Sequence, residues 1–405
     1  MNIWIVNPFD PLPGEPLRPG RYGFIGELLS QRGHKVTWWT SNFFHMRKTF
    51  RCRGSKEVKV NSNFRIIYLQ TPYYKKNVSL RRAWNHVVYA REFFKKALSF
   101  HEKPDVILAS SPPLASAKAS ILVAKKKGAK CIIDVQDLWP EAFELLVPSK
   151  TRFLAKFMLY PLKRLAASIY NSSDAIIGVS RTFVERALRG SELGKPFMIL
   201  PLCVDMKIYK NLENQISENR NPFKKIRGEF WCTYIGTVGN TYDLNTILEA
   251  ANLLAKSHPY IKFFIAGEGP ELERLKEIKR SNRIENVIFT GFLNIKNLIA
   301  LLKQSDVGLN TYIGRATQTL PNKIFDYMAL GLPIISSLKG EFENLLKSEN
   351  IGIQYEAGNA HSLKEAILEL YCNPQKREFM GRNARIKTNG IVITCLLYTS
   401  PSPRD

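Results

Sequence analysis

The sequence predicts an α/β protein of two domains, each built on a mainly parallel sheet. Three observations carry that expectation. The chain has 405 residues, and at ~100–200 residues per domain that length suits two cores. Short β-branched or apolar runs alternate with helical stretches, the pattern of right-handed βαβ units. A polar stretch near the middle, KIYKNLENQISENRNPFKKIRG from Lys207 to Gly228, interrupts the alternation and reads as a linker.

In the first half the strand candidates, in order, are NIWIV, HKVTWWT, FRIIYL, PDVILAS, AKCIIDV, DAIIGV and FMILPL. GFIGELLSQRG and SAKASILVAKKKG between them have the spacing of amphipathic helices. The rhythm restarts with FWCTYIG, YIKFFIAG, NVIFTG, SDVGLNTY, LPIISS and IGIQY. The expected layout is residues 1–204 as an N-terminal domain, 205–229 as linker and 230–387 as a C-terminal domain. Beyond Lys387 the helical pattern stops, and residues 388–405 read as a tail foreign to the fold. Its end, CLLYTSPSPRD (Cys395–Asp405), back-translates to a sequence resembling a transposase sequencing adapter.

Composition excludes several classes. Apolar residues make up 45% and aromatic residues 11%, which rules out global disorder and fibrous repeats. No run of ~18 apolar residues exists to span a bilayer, and the first residues lack a secretory pattern. The six cysteines are scattered singly, with no zinc-type pairing, and a reducing cytosol is the simplest compartment. The net charge is +24. Residues 1–200 hold 33 Lys/Arg against 14 Asp/Glu, so +19 of that charge lies in the first half. Such a field attracts anionic polymers or an anionic membrane surface. A solvated basic surface without a partner is the bland alternative.

The most informative segment is QTLPNKIFDYMALG, Gln318–Gly331. Pro321 suits a turn or helix start, and Asn322 can bond locally. Peptide N–H groups at such a start can cradle a diphosphate, with Lys323 adding a point charge. Asp326 lies one turn inside, on the face of Asn322. A capped helix with a solvent-exposed lysine fits the same pattern.

The order of motifs resembles the GT-B glycosyltransferases of family 4, over nearly the whole chain to about Arg385. The matching segments are YIGTVGNTYDLNTILEAANLL, FFIAGEGPELERLK, NVIFTGFL, LPNKIFDYMALGLPIISS, GHKVTWWTS and IIDVQDLWPEAFELL. LPLCVDMKIY resembles the family's interdomain motif, with Leu202 and Cys203 in place of Asn and Gly. The resemblance implies two Rossmann-like domains with parallel sheets facing a central cleft. It also implies retaining transfer of a hexosyl or N-acetylhexosaminyl group from a nucleotide sugar, a UDP-sugar. DLWPE and PNKIFDY point to the branch that builds bacterial surface polysaccharides such as lipopolysaccharide or capsule. The acceptor is then a glycan on a polyprenyl diphosphate lipid.

Carried over residue by residue, the family's later acid falls on Asp326, a ribose ligand. Its earlier acid falls on Gln318, which can bond a sugar hydroxyl but supplies no charge. Gly236 and Gly239 allow close backbone approach to a ligand. The family's Arg and Lys after that strand are replaced by Thr237 and Tyr242. Phosphate charge is then left to Lys323, Arg315 and the peptide N–H groups of Leu320, Pro321's neighbours and Asn322. Glu268 in GEGP, with Gly291 and Phe292, falls where the family holds the base. A plain strand-to-helix turn suits GEGP equally. No Asp-x-Asp motif is present, so neither a metal nor another cofactor is expected.

In the first half, DVQDLWPE ends a buried strand where many family members carry a His facing the donor sugar. Gln136 and Asp137 stand nearest here. Asp137 is a candidate for acceptor orientation or general-base assistance, and Trp139 for stacking on a sugar; a helix cap and a core aromatic are their structural alternatives. The loop Pro8–Gly23 follows the first strand, where open α/β sheets bind ligands. Two basic-aromatic stretches, Tyr73–Phe100 and Lys150–Tyr170, suit an anionic membrane surface, although every α/β helix also has a core-facing side. The expected location is cytoplasmic, peripheral on the inner face of the cell membrane, with no nucleic-acid partner. A UDP-sugar 2-epimerase of the same fold, or a non-catalytic basic binding protein, are the alternative functions.

Overall fold

A computed structural model describes residues 1–15, 20–147, 152–189, 194–202, 204–216, 221–314 and 316–397. The chain forms two compact units, Met1–Pro201 and Leu202–Asp405.

The strands of the first unit are β1 (Asn2–Val6), β2 (Lys35–Ser41), β3 (Phe43–Phe44), β4 (Thr49–Phe50), β5 (Lys56–Lys59), β6 (Phe64–Leu69), β7 (Val106–Ser111), β8 (Lys130–Val135), β9 (Ala175–Gly178) and β10 (Phe197–Ile199). Its helices are α1 (Arg21–Gln31), α2 (Leu80–Ser99), α3 (Leu114–Lys127), α4 (Arg152–Met158), α5 (Tyr160–Ser172) and α6 (Arg181–Leu188), with a 3-10 turn at Glu141–Leu146. Eight strands form one sheet in the order β10-β9-β8-β7-β1-β2-β6-β5, and β3 and β4 form a separate hairpin. All neighbours run parallel except β5, which is antiparallel to β6. The central strands are buried on both faces: Trp4, Ile5, Val6, Trp38 and Trp39 have no appreciable exposure. That burial is why these segments read as continuous apolar runs rather than alternating ones. Helix α2 begins where the Ser79 hydroxyl accepts from the Arg82 amide. Helix α3 ends on Gly128 at φ +70°, with Lys125, Lys126 and Lys127 in its last turn.

The second unit opens with α7 (Met206–Gln215) and continues β11 (Phe230–Ile235), α8 (Leu244–Ala255), β12 (Ile261–Ala266), α9 (Leu272–Ser281), β13 (Val287–Gly291), α10 (Ile295–Gln304) and β14 (Val307–Asn310). Then come α11 (Asn322–Ala329), β15 (Ile334–Ser336), α12 (Glu341–Ser348), β16 (Gly352–Gln354), α13 (Ala360–Cys372) and α14 (Pro374–Leu397). Its six strands are all parallel, in the order β13-β12-β11-β14-β15-β16. Numbered within the unit this is 3-2-1-4-5-6, the Rossmann order, which reverses between β11 and β14. In the first unit the reversal falls between β1 and β7.

Each anticipated strand is present, and three expectations need correction. The hairpin β3–β4 and the edge strand β5 were not anticipated, because β3 and β4 are only two residues each and β4 and the charged KEVK of β5 are largely exposed, giving no apolar run. The stretch from Lys207 is helical at its start. Asp205 caps α7 by accepting from the Lys207 amide at 2.8 Å. Met206, Tyr209 and Ile216 bury into the core of the second unit. Finally, α14 continues past Lys387 to Leu397; residues 398–405 of the adapter-like segment lie outside the described residues. Among the described residues no helix is long and apolar enough to cross a membrane.

Candidate active site

In the second unit the loops leaving β11 and β14 flank the point where the strand order reverses, the position at which open α/β sheets bind ligands. The β11 loop holds Gly236, Thr237 and Gly239; the β12 loop holds Glu268. The two loops are zipped together. Gly236 N–H donates to Ala266 O at 3.0 Å, Val238 N–H to Glu268 O at 2.9 Å, and Glu271 N–H to Val238 O at 3.1 Å. The contact has no room for side chains. A Cβ on Gly267, whose φ is +153°, would lie 1.8 Å from Gly236 O. Gly236 and Thr237 remain exposed, with the Thr237 carbonyl accepting the Tyr234 hydroxyl at 2.7 Å.

Helix α11 is aimed at this loop. Its position is fixed by Tyr327, whose hydroxyl donates to Leu309 O and accepts from Ile235 N–H, both at 3.0 Å. Tyr327 thereby bonds β11 and β14 at the reversal itself, and its ring packs beneath Gly308. Pro321 stands at the cap position before Asn322. Gly236 has no side chain in the direction of Lys323: a Cβ there would lie 3.5 Å from the Lys323 amine.

Lys323 is neither solvent-exposed nor ion-paired. Its amine is buried without a hydrogen-bond partner. Three rings surround it: Tyr234, Tyr242 and Tyr312, with centroids 3.9, 4.4 and 5.2 Å away. Burial holds its pKa well below the ordinary lysine value. Asn310 Oδ1, Thr311 Oγ1 and Gln318 Oε1 are likewise buried and unpaired. Four unpaired polar atoms on one strand–loop–helix segment are unusual for a native interior.

Asp326 is also buried, and its carboxylate accepts the Tyr209 hydroxyl of α7. Leu320 is buried, whereas Asn322, Glu268 and Phe292 are exposed. Arg315 lies outside the described residues. The structure thus gathers Gly236, Tyr242 and Lys323 at one place, and Gln318 on the loop leading to it. The three tyrosines around Lys323, and Tyr209 on Asp326, were not foreseen as a group. YIG, NTYD and LNTY each end or follow a strand, and that shared placement was the available signal.

In the first unit Asp134 is fully buried at the end of β8. It accepts from Arg21 Nε at 2.7 Å, the Tyr22 hydroxyl at 2.9 Å and Gln136 Nε2 at 3.3 Å. Arg21 also donates to the carbonyls of Leu200 and Pro201 at 2.8 and 3.2 Å. Gln136 is therefore tied into a structural network. Asp137 accepts from the Leu138 amide at 2.9 Å, and burial raises its pKa. Trp139 contacts Phe143, with centroids 4.6 Å apart, and His86 at 6.0 Å. Asp10, in the first loop, accepts the Tyr22 amide at 3.1 Å, and burial raises its pKa to about 6. Among the described residues no three His, Cys, Asp or Glu side chains cluster as metal ligands would.

Comparison with known proteins agrees with this architecture. Residues 25–207 match the family Glycosyltransferase Family 4, and residues 215–387 match Glycosyl transferases group 1. The putative colanic acid biosynthesis glycosyl transferase WcaI of Escherichia coli is 24% identical over 245 residues, 59% of this chain and 58% of WcaI. The alpha-monoglucosyldiacylglycerol synthase of Acholeplasma laidlawii is 22% identical over 67% of this chain and 68% of its own. Anabaena HepE, solved in complex with UDP-glucose, superposes with a TM-score of 0.67 over 98% of both chains at 13% identity. With the Rossmann order of the second unit and the two family matches together spanning most of its length, the chain belongs to the family 4 glycosyltransferases of GT-B fold.

Proposed function

We propose that this glycosyltransferase moves a sugar, with retention of configuration, from a UDP-sugar to a lipid-linked glycan in bacterial surface-polysaccharide synthesis. The observation that carries the donor half is the unpaired Lys323 amine beside Gly236 at the strand reversal. A diphosphate placed over the Gly236 backbone comes within reach of that amine. Peptide N–H groups at the start of α11 add donors at the same point. Together they stabilise the charge that develops on the leaving diphosphate. The acidic position at Asp326 is then a positioning residue for the ribose, once Tyr209 shares its carboxylate. HepE binds UDP-glucose, WcaI is named for a polysaccharide pathway and the Acholeplasma synthase for a lipid product; those associations support the reading.

The test is a thermal-shift screen of nucleotide sugars, since ligands that bind the native state raise the melting point. Single turnover with the best donor follows, with the anomeric configuration of the product read by NMR. A UDP-sugar should give the largest shift, and the product should keep the donor's anomer. A shift confined to other nucleotides, or an inverted product, would overturn the corresponding half. With diphosphate departure assigned to Lys323 and peptide N–H groups, turnover should also persist in EDTA.

A further inference from the structure

Lys323 is enclosed by rings from three separate elements: Tyr234 on β11, Tyr242 before α8 and Tyr312 after β14. The amine meets their faces rather than their oxygens, because each hydroxyl is engaged elsewhere. Tyr234 donates to Thr237 O at 2.7 Å, and the hydroxyls of Tyr242 and Tyr312 are bonded to each other. Burial also holds the Tyr234 and Tyr312 phenols well above the ordinary tyrosine value. Neither ring therefore supplies a negative partner near neutral pH.

The charged groups around the enclosure are committed to other partners. Asp326, on the same helix, accepts the Tyr209 hydroxyl. Asp243, beside Tyr242, accepts the Thr246 hydroxyl and the Gly358 N–H, each at 2.7 Å. On α14, which packs against α11, Arg385 is paired with Glu213 at 2.8 Å and Lys387 with Glu349 at 2.5 Å. Glu268, on the β12 loop, is exposed to solvent. Among the described residues, then, the Lys323 amine has neither a hydrogen-bond acceptor nor an ion-pair partner.

A buried ammonium in that position has lost its water and gained nothing but ring faces. Cation–π attraction offsets only part of the loss, and a charge so isolated is neutralised rather than held. Burial accordingly holds this amine well below the ordinary lysine value. The approach to it lies over Gly236, which is exposed and where a Cβ would come within 3.5 Å of the nitrogen. A diphosphate arriving over that backbone brings the acceptors that the enclosure lacks. An anion in a poorly hydrated place favours the charged form of a neighbouring lysine.

We propose that Lys323 rests as a neutral amine among its three rings and takes one proton from solvent when the donor's diphosphate binds. The nitrogen lone pair forms the new N–H bond, a solvent or buffer acid gives up the proton, and the resulting ammonium donates to the phosphoryl oxygens. The proposal rests on the UDP-sugar reading of this site, and it couples donor binding to pH. Affinity falls as pH rises between the value at which the resting amine titrates and the value at which the bound one does. The limit for a single proton is about tenfold per pH unit.

The test is calorimetric titration of the full chain with UDP in buffers of differing ionisation enthalpy. Measurements are made at about pH 7.5 and about pH 8.5, where the terminal phosphate of UDP, ionising at ~6, is already charged and takes up no proton. The heat of binding to the parent should vary with the buffer in the sense of proton uptake. Affinity should be weaker at the higher pH, by up to about tenfold. K323M should bind about 10–100-fold more weakly and lose both dependences. K323R, whose guanidinium stays charged throughout, should also bind with neither dependence, and it carries the comparison if K323M binds too weakly to titrate. Parent heats and affinity that ignore buffer and pH, with UDP bound, would overturn the proton uptake and leave the donor reading standing. Undiminished uptake in either variant would put the proton on another group and overturn the proposal as well. Failure of the parent to bind UDP would remove the donor reading, and this proposal with it.

Discussion

Lys323 concentrates the conflict between folding and function. Cation–π attraction to tyrosine rings is worth about 0.5–2 kcal/mol, and it offsets only part of the cost of burying an amine without a hydrogen bond. Burial therefore dominates, and the pKa falls well below 10.5. Between that lowered value and 10.5 the unfolded chain binds a proton that the native chain does not, so native stability rises with pH across this window. Lys323→Met should remove that slope. Urea melts should find the variant more stable than the parent near neutral pH, with the two converging above the ordinary lysine pKa. The same variant should lose about 10–100-fold in UDP affinity, the size of a charge-assisted contact. Undiminished UDP affinity would take Lys323 out of the donor site. The sequence made the residue visible through PNKIFDY, but not its surroundings. Its three tyrosines come from the end of β11, the loop before α8 and the loop after β14, and only the sheet order brings them together. Asp326 was visible for the same reason, and its partner Tyr209 was hidden in a stretch that reads as polar linker.

At the scale of elements, the loops after β11 and β12 act as one part. Their backbone bonds require a bare α-carbon at Gly267, where φ is +153° and a Cβ would lie 1.8 Å from a carbonyl oxygen. Gly267→Ala should separate the loops, costing about 1–3 kcal/mol in a denaturant melt and displacing the Gly236 backbone. UDP binding should fall with it. A variant that melts and binds like the parent would show the loops to be independent. Strands were the most legible elements, because parallel strands buried on both faces appear as uninterrupted apolar runs. The short edge pieces β3, β4 and β5 lack that signature. Helix α7 was obscured by composition: its Met206, Tyr209 and Leu212 have helical spacing, but charged and amide residues dominate the count around them.

Across the whole molecule, charge and exposed apolar surface coincide. The first unit holds +19 of the +24. On α4 and the start of α5, Phe157 is 81% exposed and Met158 76%, with Phe153, Leu154 and Tyr160 also open. Lys156 and Arg164 lie among them. Patches of this kind suit an anionic bilayer, where each basic residue near the surface contributes about 1 kcal/mol. Sedimentation with anionic vesicles should therefore fall as salt rises, since screening acts over about 8–10 Å at moderate ionic strength. Phe153→Ser with Phe157→Ser should reduce binding at every salt concentration, whereas neutralising Lys75, Lys76 and Arg81 should reduce it mainly at low salt. Equal binding to neutral and anionic vesicles would reject the electrostatic part.

The Arg21 contacts bear on how the chain can be divided. One guanidinium satisfies the buried Asp134 and also holds the carbonyls of Leu200 and Pro201, the last two residues of the first unit. A gene fragment ending at Ile199 would keep every strand of the first unit yet remove two carbonyls that Arg21 holds. One ending at Pro201 keeps both carbonyls with the guanidinium. The boundary suited to separate expression, domain exchange or a split reporter is thus set by an arginine near the amino terminus rather than by the last strand.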